Sequence, residues 1–359
     1  MTRICIVPQV SGVGGMVSFR GRFSAGLQAR GYKVVDNPRL STFDFLLVIG
    51  GTRDLLGLWR AKRRGVRIVQ RLNGMNWLHR LQPTGSKHYL RAEYGNLILR
   101  IIRARLADHI VYQSEFSRQW WERIHGPTRC SNSVVINAVD LEVYSPKLQA
   151  PSHKLQVASG RFSALHSPLA VDHYRVLLVE GSLMGGYELG LESAVNLVEL
   201  LNSQHRSRLD KPVELLVAGR VSEAVKTRWT QKTHIPLTWA GLVPAEQIPD
   251  LDRSAHFLYS SDINPSCPNS VIEALACGLP VLAFDTGALP ELVTGDSGRV
   301  VAYGGDPWKL EPPDIPALAA AAVEILTDQP RFRTAARARA EEAFGLDQML
   351  DGYLAAFKI

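Results

Sequence analysis

A carboxylate one turn inside a helix, next to backbone amides without helical partners, can hold a nucleotide. The amides bind phosphate at the positive end of the helix. The carboxylate accepts hydrogen bonds from the two hydroxyls of a ribose. The stretch Pro268-Asn269-Ser270-Val271-Ile272-Glu273-Ala274 has this composition. Asn269 and Ser270 are both strong N-cap residues. Val271 to Cys277 then has helical spacing, with Val271, Ile272, Leu275 and Ala276 as its apolar set. Gly278 can take the left-handed position that ends the helix. Val281 to Phe284 follows as an apolar run bounded by Pro280 and Asp285-Thr286-Gly287, the pattern of a buried parallel strand. Ordinary helix capping and a surface Glu explain the same residues equally well on physics alone.

The elements that must position this stretch alternate strand and helix. Ile4 to Val7 reads as a strand, Ser11-Gly12-Val13-Gly14-Gly15 as a Gly-rich turn, and Met16 to Arg30 as a helix with Phe19, Phe23 and Leu27 on one face. Tyr32 to Val35 completes a βαβ unit. Val17 breaks the GxGxxG spacing of a dinucleotide fingerprint. Asp44 to Gly51, Val66 to Leu72 and Asp108 to Gln113 read as further strands, and Leu55 to Arg64 as a short basic helix. Leu90 to Ala107 is a longer helix with interspersed Arg, either a membrane-surface element or a solvated face over a buried stripe. Ligands of open parallel sheets sit outside the carboxyl ends of the strands. Asn73 and His79, just beyond the strand ending at Leu72, are therefore the candidates for a catalytic region. Asn73 cannot act as a general base, and a structural role competes for His79. Tyr144 to His173 lacks strong periodicity and reads as linker plus irregular insertion. Arg175 to Val179 then starts a second set: strand, Gly-rich loop (Glu180-Gly181-Ser182-Leu183-Met184-Gly185-Gly186) and helix Leu189 to Leu201, again a phosphate cradle.

Composition narrows the class. With 46% hydrophobic and 21% charged residues the chain is that of a globular protein. No apolar run reaches the ~20 residues of a membrane span. The N-terminus runs straight into a strand and leaves no room for a signal peptide. Four cysteines without CxxC spacing indicate neither zinc nor a disulfide framework, and point to a reducing cytoplasm. The net charge of +7 is uneven: through Lys147 there are 23 Lys and Arg against 9 Asp and Glu, or +14, and the remainder carries −7. A basic half facing an anionic partner follows, either a membrane surface, a lipid-phosphate acceptor or nucleic acid. The arginines lack the interleaved aromatics of base stacking and no helix-turn-helix stands out, so nucleic acid is not expected.

The run from Pro265 to Val293 resembles the C-terminal signature of the GT4-type retaining glycosyltransferases (group 1), which have the GT-B fold. The pieces that match are Pro268 to Ala274, Cys277-Gly278-Leu279-Pro280-Val281, and Gly287-Ala288-Leu289-Pro290-Glu291-Leu292-Val293. The resemblance implies an α/β chain of two Rossmann-like domains facing across a cleft. Residues 1–172 would be the acceptor-binding domain, with its irregular linker from about 144. Residues 173–340 would bind the nucleotide sugar, and 341–359 would be a helix returning to the first domain. By the same resemblance Glu273 binds the ribose, with Pro268, Asn269, Ser270 and Val271 around the donor. Gly14 and Gly15 face the cleft, and the backbone at Gly241 contacts the nucleobase. Two departures stand out. The acidic residue that usually precedes the ribose-binding Glu by eight positions is Pro265 here, for which Asp262 or Asn264 can substitute. The loop at Gly181 and Ser182 lacks the usual Arg and Lys of the diphosphate clamp, a charge that Arg220, or Arg20 or Arg71 of the basic half, can replace.

The resemblance implies metal-independent transfer of a sugar from a nucleoside diphosphate sugar, with retention, to a glycan or lipid-linked glycan of the cell envelope. The enzyme would be cytoplasmic, with peripheral attachment to the inner membrane face compatible with its basic half. No cofactor beyond the donor substrate is expected. The alternative is a catalytically impaired GT-B pseudo-enzyme that partners another transferase, motivated by Pro265 and the missing Arg and Lys.

Overall fold

The computed structural model describes residues 1–12, 14–38, 42–82, 85–147, 172–183 and 188–358. The chain forms two compact units: Met1–Ala138 with Pro265–Cys267 and Ala343–Ile359, and Val139–Asn264 with Pro268–Glu342.

The first unit alternates β1 (Arg3–Val7), α1 (Gly15–Ala29), β2 (Lys33–Val35), β3 (Phe45–Ile49), α2 (Leu55–Arg63), β4 (Arg67–Leu72), α3 (Ser86–Ile101), β5 (His109–Tyr112), α4 (Glu115–His125) and β6 (Ser131–Val134). The strands lie in the order β2-β1-β3-β4-β5-β6, all parallel. Strands such as Ile4-Cys5-Ile6-Val7 are apolar on both faces because helices cover both. Phe19, Phe23 and Leu27 of α1 pack on one face. Leu58 and Ala61 of α2 and Ile98 of α3 pack on the other, with Ile102 in the wider helical turn that continues α3. Truncating one such residue, Ile6 for example, to Ala costs about 2–5 kcal/mol.

The second unit comprises β7 (Tyr174–Ser182), α5 (Leu189–Ser203), β8 (Val213–Arg220), α6 (Glu223–Lys232), β9 (Leu237–Gly241), α7 (Ile248–Arg253), β10 (Phe257–Ser260), α8 (Asn269–Ala276), β11 (Val281–Phe284), α9 (Leu289–Leu292), β12 (Gly298–Val301), α10 (Ile315–Thr327) and α11 (Gln329–Ala343). Its order is β12-β11-β10-β7-β8-β9, again all parallel. This is the doubly wound order, whose direction reverses between β7 and β10. The last helix, α12 (Leu346–Phe357), belongs to the first unit, where Tyr353 packs 4.9 Å from the ring of Phe23.

The division falls after Ala138, earlier than the expected 172. Hydrogen bonds account for the shift. Arg337 of α11 donates to the carbonyls of Leu141 and Tyr144 at 3.1 and 2.8 Å, and Arg253 of α7 to that of Ser145 at 2.8 Å. These hold residues 141–145 to the second unit. Most of the expected insertion, 148–171, lies outside the described residues.

Gly219, next to last in β8, has φ +146°, and a Cβ there would meet the Glu180 carbonyl oxygen at 2.0 Å. Gly65 has φ +80° with nothing within 4 Å. Gly65→Ala should cost about 1–2 kcal/mol of left-handed strain alone. Gly219→Ala should cost about 3 kcal/mol or more, because backbone must move as well. Urea denaturation of both variants checks this, and equal losses would contradict it.

Candidate functional site

The carboxyl ends of β7 and β10 flank the point where the strand order of the second unit reverses. Glu180 of β7 lies there, and Ser261, just after β10, donates its hydroxyl to Glu180 Oε1 at 2.6 Å. Enclosure by protein and the nearby Asp262 carboxylate push the Glu180 carboxyl up to about 8. Asp262 lines a cavity of about 410 Å³ together with Gly190, Ser193, Tyr259, Thr286 and Tyr303. Thr286 donates to the Asp262 carbonyl and accepts from the Asn264 amide, both at 3.4 Å. Asn264 is buried in the left-handed region at φ +54°, a conformation that Asn tolerates better than most residues. Among the described residues its Nδ2 has no partner.

The nucleotide-type motif lies beyond this loop. Helix α8 starts at Asn269, so Asn269 and Ser270 are its first residues and not its caps. The cap position belongs to Pro268, whose side chain makes no cap hydrogen bond. Val271 and Ile272 turn into the core. Glu273 is only 8% exposed. Asp252 of α7 is pushed well above the usual carboxylate range by burial and by the Glu273 charge.

Gly181 and Ser182 are strand, not loop: β7 extends to Ser182, which pairs with Arg220 after an irregularity in register. The rest of the expected Gly-rich loop, residues 184–187, lies outside the described residues. Arg220 ends β8 with its side chain exposed, and Gly241 ends β9 with φ +72°. All these residues lie at the carboxyl ends of one sheet.

In the first unit, Gly14 is the N-cap of α1 with φ +136°, followed by Gly15, both exposed. Val13 is outside the described residues. Asn73 directly follows β4, and its Oδ1 accepts from Arg71 Nη1 at 3.0 Å and Gln113 Nε2 at 2.9 Å. With its oxygen taken twice, the side chain has its amide hydrogens left to offer. His79 is a different case from the one expected. It sits in a short turn, buried, with Nε2 2.8 Å from Glu93 Oε1 and its ring 5.0 Å from that of Tyr89. This enclosure holds the ring in place and away from solvent. The arginines proposed as replacement charges are also occupied. Arg20 donates to the carbonyls of Ile6 and Pro8 at 2.9 and 2.7 Å, and Arg71 is 1% exposed. Among the described residues Arg220 is left as the exposed arginine beside Ser182.

Sequence reasoning passed over Glu180 and Ser261. A carboxylate directly after an apolar parallel strand was the available signal for Glu180. Its pairing with Ser261 depends on β7 and β10 being neighbours, which is a matter of topology.

With this geometry in place, known proteins supply a comparison. Residues 175–328 match the family model of the glycosyl transferases group 1. No curated protein matches the sequence. Among solved structures, a sucrose-phosphate synthase from Thermosynechococcus elongatus is similar with a TM-score of 0.70 at 15% identity, covering 100% of this chain and 98% of that one. Anabaena HepE in complex with UDP-glucose gives 0.68 at 14% identity, with both chains fully covered. WaaG, a glycosyltransferase involved in lipopolysaccharide biosynthesis, gives 0.67 at 13% identity and covers 99% of each chain. The two parallel six-stranded α/β units are those of the GT-B fold.

Glu180 gives a pH test. Its folded carboxyl keeps a proton from its ordinary 4.5 up to about 8, a range in which the unfolded chain gives it up. Stability present below the unfolded value is therefore lost as pH rises through the folded one. Glu180→Gln removes that loss, so its melting midpoint should rise relative to wild type from pH 4.5 to pH 8. A difference that stays constant with pH would contradict the assignment.

Proposed function

We propose that the chain is a GT4-type glycosyltransferase that moves a sugar from a nucleoside diphosphate sugar, of the UDP class, to a glycan or lipid-linked glycan, with retention of configuration. The observation that carries this reading is Glu273 in the second turn of α8, behind the backbone amides of the helix N-terminus and inside the segment that the family model matches. In this reading Glu273 accepts from the ribose diol, and the amides of Asn269, Ser270 and Val271 meet the diphosphate. The Gly241 backbone meets the nucleobase.

Transfer needs the leaving diphosphate to be stabilised as its charge grows. The first-turn amides of α8 and the exposed Arg220 do this in place of a metal ion and of the usual Arg and Lys. Each well-aimed donor contributes about 3 kcal/mol to the barrier reduction. Asp262, in the cavity beside α5, takes the sugar-holding role of the acid replaced by Pro265. Asn73 donates an amide hydrogen to a substrate hydroxyl, as it has no capacity to act as a base. The known partners of similar proteins support the donor class and the acceptor type: HepE holds UDP-glucose and WaaG serves lipopolysaccharide biosynthesis.

Purified protein incubated with UDP-, GDP- and ADP-hexoses and extracted lipid-linked acceptors should release one nucleotide in step with glycosylated product. Glu273→Ala should lower kcat/KM by about 100-fold. The anomeric proton of the product should show the donor's configuration. The reading fails if no donor is consumed, or if Glu273→Ala turns over at the wild-type rate.

A further inference from the structure

The cavity beside α5 has a chemistry of its own. Its floor belongs to the α5 and α10 side of the second sheet, where Tyr259, Phe284 and Tyr303 are buried in one core with both helices. Phe284 and Tyr303 meet edge to face with ring centres 5.2 Å apart. The hydroxyl oxygens of Ser193 and Tyr259 lie 2.9 Å from each other. One wall is the segment Leu310 to Pro313, and it is preformed. The Glu311 amide donates to the Asp306 carbonyl at 3.2 Å, and the Asp314 amide to that of Tyr303 at 2.7 Å. Pro312 and Pro313 add the stiffness of two fixed φ angles.

The rim is acidic. Glu192, Asp262 and Glu311 are exposed around it, and among the described lining residues there is no Lys, Arg or His. Little in the protein offsets these charges. The Asp262 carboxylate has neither a hydrogen-bond nor an ion-pair partner among the described residues. Glu192 faces Lys232 at 3.9 Å with both side chains well exposed, a pair of small worth. Glu311 accepts only a neutral donor, the Asp306 amide at 2.8 Å. Glu180, behind Ser261, responds by keeping its proton, through burial first and the Asp262 charge second. A cleft lined by one sign of charge concentrates ligands of the opposite sign and repels those of its own. The phosphates of a nucleotide donor therefore belong at the α8 amides and not here, and only the sugar enters. A metal ion is not the missing counter-charge, because no three carboxylate, His or Cys groups come together as ligands among the described residues. Negative charges spread around an aromatic floor suit an organic cation instead.

Resting on the nucleotide-sugar reading above, we propose that the transferred sugar carries a free, protonated amino group, which Asp262 holds at this rim while Glu192 and Glu311 add their attraction. The sugar ring lies over the aromatic floor. A neutral hexose leaves the rim charge unanswered, and an N-acetylated sugar has lost the charge that would answer it. A uronic acid is repelled.

Titration calorimetry with UDP-glucosamine, UDP-glucose, UDP-N-acetylglucosamine and UDP-glucuronate tests this, at low salt and about pH 6.5, where an amine is protonated. UDP-glucosamine should bind about tenfold more tightly than UDP-glucose or the N-acetylated donor, and UDP-glucuronate about tenfold more weakly than UDP-glucose. The advantage of the amine should shrink as salt screens the rim. Asp262→Asn should remove it. Glu192→Gln with Glu311→Gln should reduce it about threefold, with plain UDP bound as by wild type. Both glutamates are exposed, so the melting midpoint of that double variant should stay within about 2 °C of wild type, which separates lost selectivity from lost folding. Equal affinity for UDP-glucosamine and UDP-glucose overturns the proposal and leaves the nucleotide reading standing. If UDP itself does not bind, the nucleotide reading fails, and free glucosamine against free glucose then decides on the amine site alone. A preference for glucosamine that Asp262→Asn abolishes supports the site, and no preference overturns it.

Discussion

A parallel strand pair cannot be joined by a tight turn. Each connection must cross the sheet, and most connections here do so through a helix. A helix that follows a strand therefore starts from the carboxyl end of that strand. In both units this one constraint gathers strand ends, loops and helix N-termini at a single end of each sheet. It also demands apolar residues on both strand faces, as in Phe45 to Ile49 and Val281 to Phe284. The chemistry then follows from where the order reverses. Between β7 and β10 the crossovers leave in opposite directions, and the space they open holds Glu180, Ser261 and Asp262.

The first unit depends on a second feature, a buried cation without a carboxylate partner among the described residues. Arg71 Nη2 donates to Gln113 Oε1 at 2.7 Å and Asn137 Oδ1 at 2.9 Å, and its guanidinium lies 4.0 Å from the Phe19 ring centre. Burial pulls the guanidinium below its ordinary range. Neutral amides and an aromatic face spread the cost of desolvation over several partners on α1 and the segments after β4, β5 and β6. Removing any one of them would leave a buried charge less satisfied, at about 1–3 kcal/mol or more. The network also fixes which end of the Asn73 amide is free. The position taken for a catalytic candidate is thus oriented by an arginine that is itself buried.

Much of this was legible in the residues. The alternation of apolar runs with helical spacing located most strands and helices, and the Phe19, Phe23 and Leu27 stripe gave the buried face of α1. Helix α6 escaped because only Val225 and Trp229 turn inward from a polar sequence, too sparse a stripe to detect. Strand β12 is four residues at a sheet edge, where the short Gly-Arg-Val-Val run carries little pattern. The start of α8 was misplaced by one or two residues because Asn269 and Ser270 look like caps, while Pro268 takes the cap geometry through its fixed φ. His79 appeared available because it follows a strand; only the fold brings Glu93 and Tyr89 around it. Arg20 and Arg71 looked free for the same reason: their acceptors are carbonyls and amides brought close by folding.

The central claim is that the second unit holds a nucleotide through Glu273. Melting of the wild type and of Glu273→Ala with UDP, GDP and ADP tests it most directly. A nucleotide at about 100 times its dissociation constant adds about 2.7 kcal/mol of stability. The account predicts that UDP raises the wild-type midpoint by several degrees and leaves Glu273→Ala where it was. Contradiction would be a midpoint unmoved by all three nucleotides, or one raised equally in both proteins.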